Sequence, residues 1–156
     1  MIKQVIVVNK SLKMNNDKMS TMVAHGATAF LISWMKRNKN SFDSLNHEVN
    51  INGCINSDVY YEWVVGESIK VVLEAEDEFE MREIISKATS KGMRVDYDFF
   101  NIVDESTEFS GIPCWSVIAF APMESKIIDE ITGSLTWYGY EDRMLSNITE
   151  NKDMGE

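Results

Sequence analysis

Lys18, Met22, His25 and Ala29 fall along one stripe of a stretch with helical spacing. Lys18 and His25 are seven residues apart. On a helix they differ by about 20° in azimuth and stand roughly 10 Å apart along the axis. A lysine in a first turn adds its ammonium to free backbone N–H groups, a combination that favours an anion. A phosphate, or the carbonyl oxygen of a polarised ester, suits that place. An imidazole further along the stripe can accept or donate a proton near neutral pH. The same residues also suit a plain structural role, with Lys18 solvated and His25 hydrogen-bonded on a half-apolar face.

Other common chemistries lack their signatures. The glycines form neither a dinucleotide fingerprint nor a phosphate loop ending in Gly-Lys-Ser/Thr. There is no Gly-x-Ser-x-Gly elbow for a serine hydrolase. His25 and His47 are too isolated to build a zinc site with Cys54 and Cys114, which belong to no CxxC pair. The two cysteines read as reduced thiols in a reducing compartment. Acids are abundant, but no glycosidase-like pair of carboxylates stands out.

The elements that must carry the stripe follow from the apolar pattern. Ile2 to Val8 is a β-branched run expected as a buried strand, and a polar loop from Asn9 to Asn16 follows. From Asp17 to Trp34, Met19, Met22, Val23, Gly26, Phe30 and Trp34 recur at spacings of three and four, with Asn15 or Asn16 as N-cap. Residues 36–57, rich in Asn and Ser, read as an inserted loop or lid. Tyr60–Val65 suits a short strand, and Ile69–Leu73 a clear one. The stretch from Glu76 to Lys91 is acidic at its start, basic at its end and stopped by Gly92, as a helix would be. Arg94–Phe100 alternates like a strand, Ile102–Pro113 reads as a loop, and Trp115–Ala121 as a further strand. Pro122 then opens a short helix ended by Gly133, and Leu135–Tyr138 is extended. The expectation is one α/β domain over residues 1–156, a single mixed sheet of about four strands with helices on both faces, and an acidic tail from about residue 139.

The 44% hydrophobic content suits a single core. The N-terminus is too polar for a signal peptide, and no stretch approaches the roughly 20 apolar residues of a membrane span. A cytoplasmic protein is expected. Formal net charge is −10 at pH 7, which opposes a polyanionic partner. The distribution is uneven, however: residues 1–39 carry seven basic side chains against one acid, Asp17. Screening over roughly 8–10 Å lets such a local basic face act on its own.

At the Lys18–His25 stripe the sequence resembles the second, archaeal-and-eukaryotic class of peptidyl-tRNA hydrolases. That family carries Lys-Met-x-x-Gly-Lys followed by Ala-Ala-Gln-x-x-His-Ala, after a β-branched strand. Here the run is Lys13-Met14-Asn15-Asn16-Asp17-Lys18-Met19-Ser20-Thr21-Met22-Val23-Ala24-His25-Gly26. Asp17 replaces the glycine, Ser20 and Thr21 the two alanines, Met22 the glutamine and Gly26 the last alanine. Asp104 falls on the aspartate of the family's Asp-Ala-Gly-x-Thr segment. The Ala-Gly is absent, and a one-residue shift brings Thr107 to the threonine's place, where an ungapped match brings Glu108. Ile127-Ile128-Asp129-Glu130-Ile131-Thr132-Gly133-Ser134-Leu135 resembles the closing Leu-Ile-Asp-Lys-Val-Thr-Gly-His-Leu.

The resemblance implies a hydrolase that cleaves the ester between a peptide and the terminal ribose of tRNA. Lys18 would hold a phosphate or stabilise the oxyanion, Asp104 with His25 would act on the attacking water, and Thr107 would hold substrate or water. Lys10, Lys13 and Lys36 would touch the tRNA backbone, and no metal or organic cofactor is implied. The family often forms dimers. The changes at Asp17 and Met22 leave a second reading beside it, a catalytically inactive relative that binds a small ligand or a protein. A third is a structural or interaction module whose Asn-rich insert and Trp34/Trp63 region form an oligomer interface.

Overall fold

The computed structural model describes residues 1–37, 42–43, 48–49, 57–109 and 112–139. Strand β1 (Ile2–Asn9) leads through a 3-10 turn (Lys10–Leu12) into helix α1 (Asn16–Arg37). Two short strands, β2 (Phe42–Asp43) and β3 (Glu48–Val49), pair antiparallel. Helix α2 (Ser57–Tyr60) continues into a π-helical turn at Tyr61–Val65, followed by β4 (Lys70–Ala75) and α3 (Glu78–Ser90). Strands β5 (Phe99–Phe109), β6 (Ile112–Phe120) and β7 (Met123–Glu124) precede α4 (Ser125–Thr132) and β8 (Thr136–Trp137).

Six strands form one mixed sheet in the order β5-β6-β1-β4-β8, with β7 on the end of β1. Strands β1 and β4 run parallel, with Val5 opposite Val71 and Val7 opposite Leu73, and the other pairings are antiparallel. The sheet exceeds the expected four strands through two-residue pairings: β7, too short to show a period, and β8, which lies within the Leu135–Tyr138 stretch expected as extended.

Strand β1 is central and buried on both faces, which is why Val5–Val8 reads as an unbroken β-branched run. Val5 and Val7 face α3 and α4, packing with Leu73, Met81, Ile84, Phe120 and Ile128. Ile6 and Val8 face α1, packing with Met19, Val117 and Ala119. Helices therefore cover both faces. Gln4, fully buried on β1, donates through Nε2 to the carbonyl of Ala27 at 3.1 Å and ties strand to helix.

Four local expectations give way in the folded chain. The Arg94–Asp98 stretch is a turn, not a strand: Asp98 N–H donates to Arg94 O at 2.9 Å, and Asp96 takes a left-handed φ of 64°. The strand instead starts at Phe99 and runs into the residues expected as a loop, pairing with β6 as far as Val103 and again at Glu108 and Phe109, with register irregularities after Ile102 and Val103. Tyr61–Val65 is helical, and this turns Trp63 inward to meet Phe30 edge-on, with centroids 5.3 Å apart. Pro122 does not open α4, since β7 intervenes to pair Ile2 with Glu124.

Most of the expected 36–57 insert, and residues 140–156 of the expected tail, lie outside the described residues. Among the described residues, no helix is long and apolar enough to cross a membrane.

Candidate active site

The site begins where β1 ends. Asn9 is fully buried, and its side chain uses both ends. Nδ2 donates to the carbonyl of Trp115 at 3.1 Å, while Oδ1 accepts from Ser11 N–H at 3.1 Å and Ser11 Oγ at 2.6 Å. This holds the 3-10 turn against β6. Lys13 closes the turn in the left-handed region with φ 46°, its N–H donating to Lys10 O at 3.1 Å. Asn15 then caps α1, with Oδ1 accepting from Lys18 N–H at 2.9 Å and its carbonyl from Met19 N–H at 2.9 Å.

Lys18 stands half-buried in the first turn beside exposed Asp17. Along the same stripe Met22 is half-buried against the Ile6–Ala119 cluster and His25 is exposed. Gly26 lets this part of the helix lie close on the sheet.

An open cleft of about 790 Å³ runs between α1 and the edge of the sheet. Met22, His25, Ala29 and Lys36 line it from the helix, and Tyr97, Phe100, Ile102 and Val103 from the opposite wall. Asp104 is the next residue of β5 after Val103, and Thr107 lies further along that strand; the side chains of both lie outside the described ones. Ser33 Oγ donates to the carbonyl of Asp96 at 2.6 Å, joining the two walls.

The structure thus brings His25, Met22 and Lys36 to one cleft. Lys18, in the first turn of α1, and Lys13, at the end of the 3-10 turn, are not among its lining. Lys10 is turned elsewhere: its ammonium stands 3.5 Å from buried Glu74 and 3.3 Å from Glu76. Trp34 and Trp63 are both buried, so neither ring is offered as a surface contact.

The far end of the cleft is built from residues that the sequence pattern does not single out. Arg37 and Arg94 approach the Tyr97 ring to 4.0 and 4.3 Å from its centroid. Two cations at the end of α1 were the available signal, since cations favour a helix C-terminus. Among the described residues, no three His, Cys, Asp or Glu side chains gather as a metal site requires.

Fold and site together define an α/β protein with an open cleft between its first helix and the β5 edge of a mixed sheet. The chain belongs to the family described as Peptidyl-tRNA hydrolase PTH2, whose model matches residues 2–138. Three relatives, each named peptidyl-tRNA hydrolase, show how far the likeness extends. That of Thermoplasma acidophilum is 31% identical over 139 residues, covering 84% of this chain and 93% of the relative. That of Nanoarchaeum equitans is 30% identical over 139 residues, covering 88% and 100%. That of Thermococcus onnurineus is 27% identical over 135 residues, covering 85% and 94%.

Proposed function

We propose that this chain hydrolyses the ester between a peptide and the terminal ribose of tRNA. Family membership over residues 2–138 supports the reaction class. The observation that carries the reading is the single helix face on which Lys18 in the first turn precedes Met22 and His25 at the cleft, with β5 opposite leading to Asp104.

In this reading water attacks the ester carbonyl, and Asp104, with His25, orients the water and takes its proton. Lys18, backed by the N-terminal dipole of α1, stabilises the developing oxyanion. The carbon–oxygen bond then breaks, the ribose hydroxyl leaves with a proton, and the peptide departs as its carboxylate. Thr107 holds substrate or water. Lys13 and Lys36 meet backbone phosphates, whereas at Lys10 a phosphate must compete with Glu74 and Glu76.

Release of peptide from an N-blocked aminoacyl-tRNA tests the reading. Lys18→Ala and Asp104→Ala should each lower kcat/KM by about 10²–10³. Absence of release at any concentration of the folded wild type rejects it. The packing of Met22 against the core, where a polar amide would bridge Lys18 and His25, favours one alternative: a relative whose cleft binds a small ligand or a protein without turnover.

A further inference from the structure

The acidity of this chain makes an aromatic and basic corner at the cleft conspicuous. At the outer end of the cleft, Lys36 and Arg37 close α1, and the Tyr97 ring holds two guanidiniums close by. Arg37 also donates through Nε to the carbonyl of Ser33 at 3.4 Å, and among the described residues neither Lys36 nor Arg37 is ion-paired. Arg94 shares its charge with Asp98 at 3.8 Å, and the exposed Asp96 stands at the rim. Three cations against two carboxylates leave this end positive in a protein of net charge −10. The Tyr97 side remains 41% exposed.

We propose that this outer half of the cleft is the track for the single-stranded end of an RNA, with Lys36 and Arg37 on its phosphates and the Arg37–Tyr97–Arg94 group as a stacking platform. The proposal rests on the tRNA reading for its substrate and adds which residues hold which part of it. Unpaired bases stack on aromatic rings and on guanidinium planes, whereas a paired base has no free face to offer. Tyr97 keeps the two guanidiniums ordered through cation–π contact, so the platform exists before RNA arrives. Geometry fits: Lys18 and Lys36 are separated by about 27 Å along α1, enough for several extended nucleotides between an ester at the first and a phosphate at the second. The acceptor end of a tRNA is such a single-stranded stretch.

The test is fluorescence-anisotropy binding of a labelled single-stranded RNA hexamer to the full chain, in parallel with the release assay. Tyr97→Ala should weaken hexamer binding on the order of tenfold without altering its salt dependence, because the charges stay. Arg37→Gln should weaken it and lower the slope of log K against log salt by about 0.7, the share of one single-strand phosphate. Both residues are surface-exposed, and Tyr97→Phe should retain binding, which separates lost stacking from lost folding. If the wild type turns over but Tyr97→Ala and Arg37→Gln bind the hexamer and show KM as it does, the proposal is overturned and the hydrolase reading survives. If nothing turns over but hexamer binding depends on Tyr97, the proposal stands and the hydrolase reading falls. A wild type that ignores the hexamer overturns the proposal whatever the turnover.

Discussion

Gly26 meets Ala119 so closely that a Cβ on the glycine would lie 3.0 Å from the alanine's, with Val117 Cγ1 at 3.2 Å. Here α1 touches the sheet. Both neighbours are fully buried on a strand paired on its two sides, so neither has room to yield. The contact also sets the height of His25, the preceding residue, above the cleft.

Replacing Gly26 by valine should therefore destabilise the protein by about 1–3 kcal/mol through overpacking, in spite of the gain in helix propensity. Urea denaturation measures it. An unchanged midpoint would show that α1 can lift from β6 without cost.

Glu74 is a buried carboxylate serving three neighbours. Oε1 accepts from Thr136 Oγ1 at 3.4 Å and lies 3.5 Å from Lys10 Nζ, while Oε2 accepts from Gly139 N–H at 3.3 Å. It pins the last strand and the lysine after β1 to one point. Glu74→Ala should cost about 1–3 kcal/mol, with Glu74→Gln in between because its amide keeps an acceptor. Chemical denaturation of the three proteins orders them; equal stabilities would dismiss the network.

The Cys114 thiol lies buried near Glu78 and Arg82. Burial, then the Glu78 charge, push its pKa above the ordinary thiol value, and Arg82 offsets part of this. The unfolded chain thus loses this proton at lower pH than the folded one. The stability it confers is complete below the unfolded value of about 8.5 and is lost as pH rises through the folded value. The stability difference between wild type and Cys114→Ala should shrink from pH 7.5 to pH 10. A difference constant over that range would refute the assignment.

Met22 occupies the position between Lys18 and His25 on the helix face and packs half-buried on the Ile6–Ala119 cluster. Met22→Gln gives up apolar burial worth about 1 kcal/mol and restores an amide beside the two polar residues. The expected result is a lower denaturation midpoint together with faster peptide release. A slower release would mean that the methionine supports the site instead of blunting it.

Local pattern alone was sufficient for the central strand and the first helix. Ile2–Val8 has few options besides a strand buried on both faces, and the spacing of Met19, Gly26, Phe30 and Trp34 leaves one apolar helix stripe; all four are buried. The helix after Asp77 was equally legible, since the N-cap side chain accepts from Glu80 N–H and Gly92 stops it with φ 81°. The stripe from Lys18 to His25 followed from helical periodicity too.

What the chain could not declare locally was decided by partners distant in sequence. The polar end of β5 carries no apolar period, yet Glu108 and Phe109 pair there with Pro113 and Ile112 of β6. Lys10 looked like Lys36, but the carboxylates of Glu74 and Glu76 lie close enough to hold it, whereas Lys36 faces the cleft. Tyr97 alternated like a strand residue until Arg37 and Arg94 converged on its ring. Secondary structure follows period and capping, which neighbouring residues encode. Strand pairing at an edge and the choice of ionic partner depend on distances that exist only once the chain has folded.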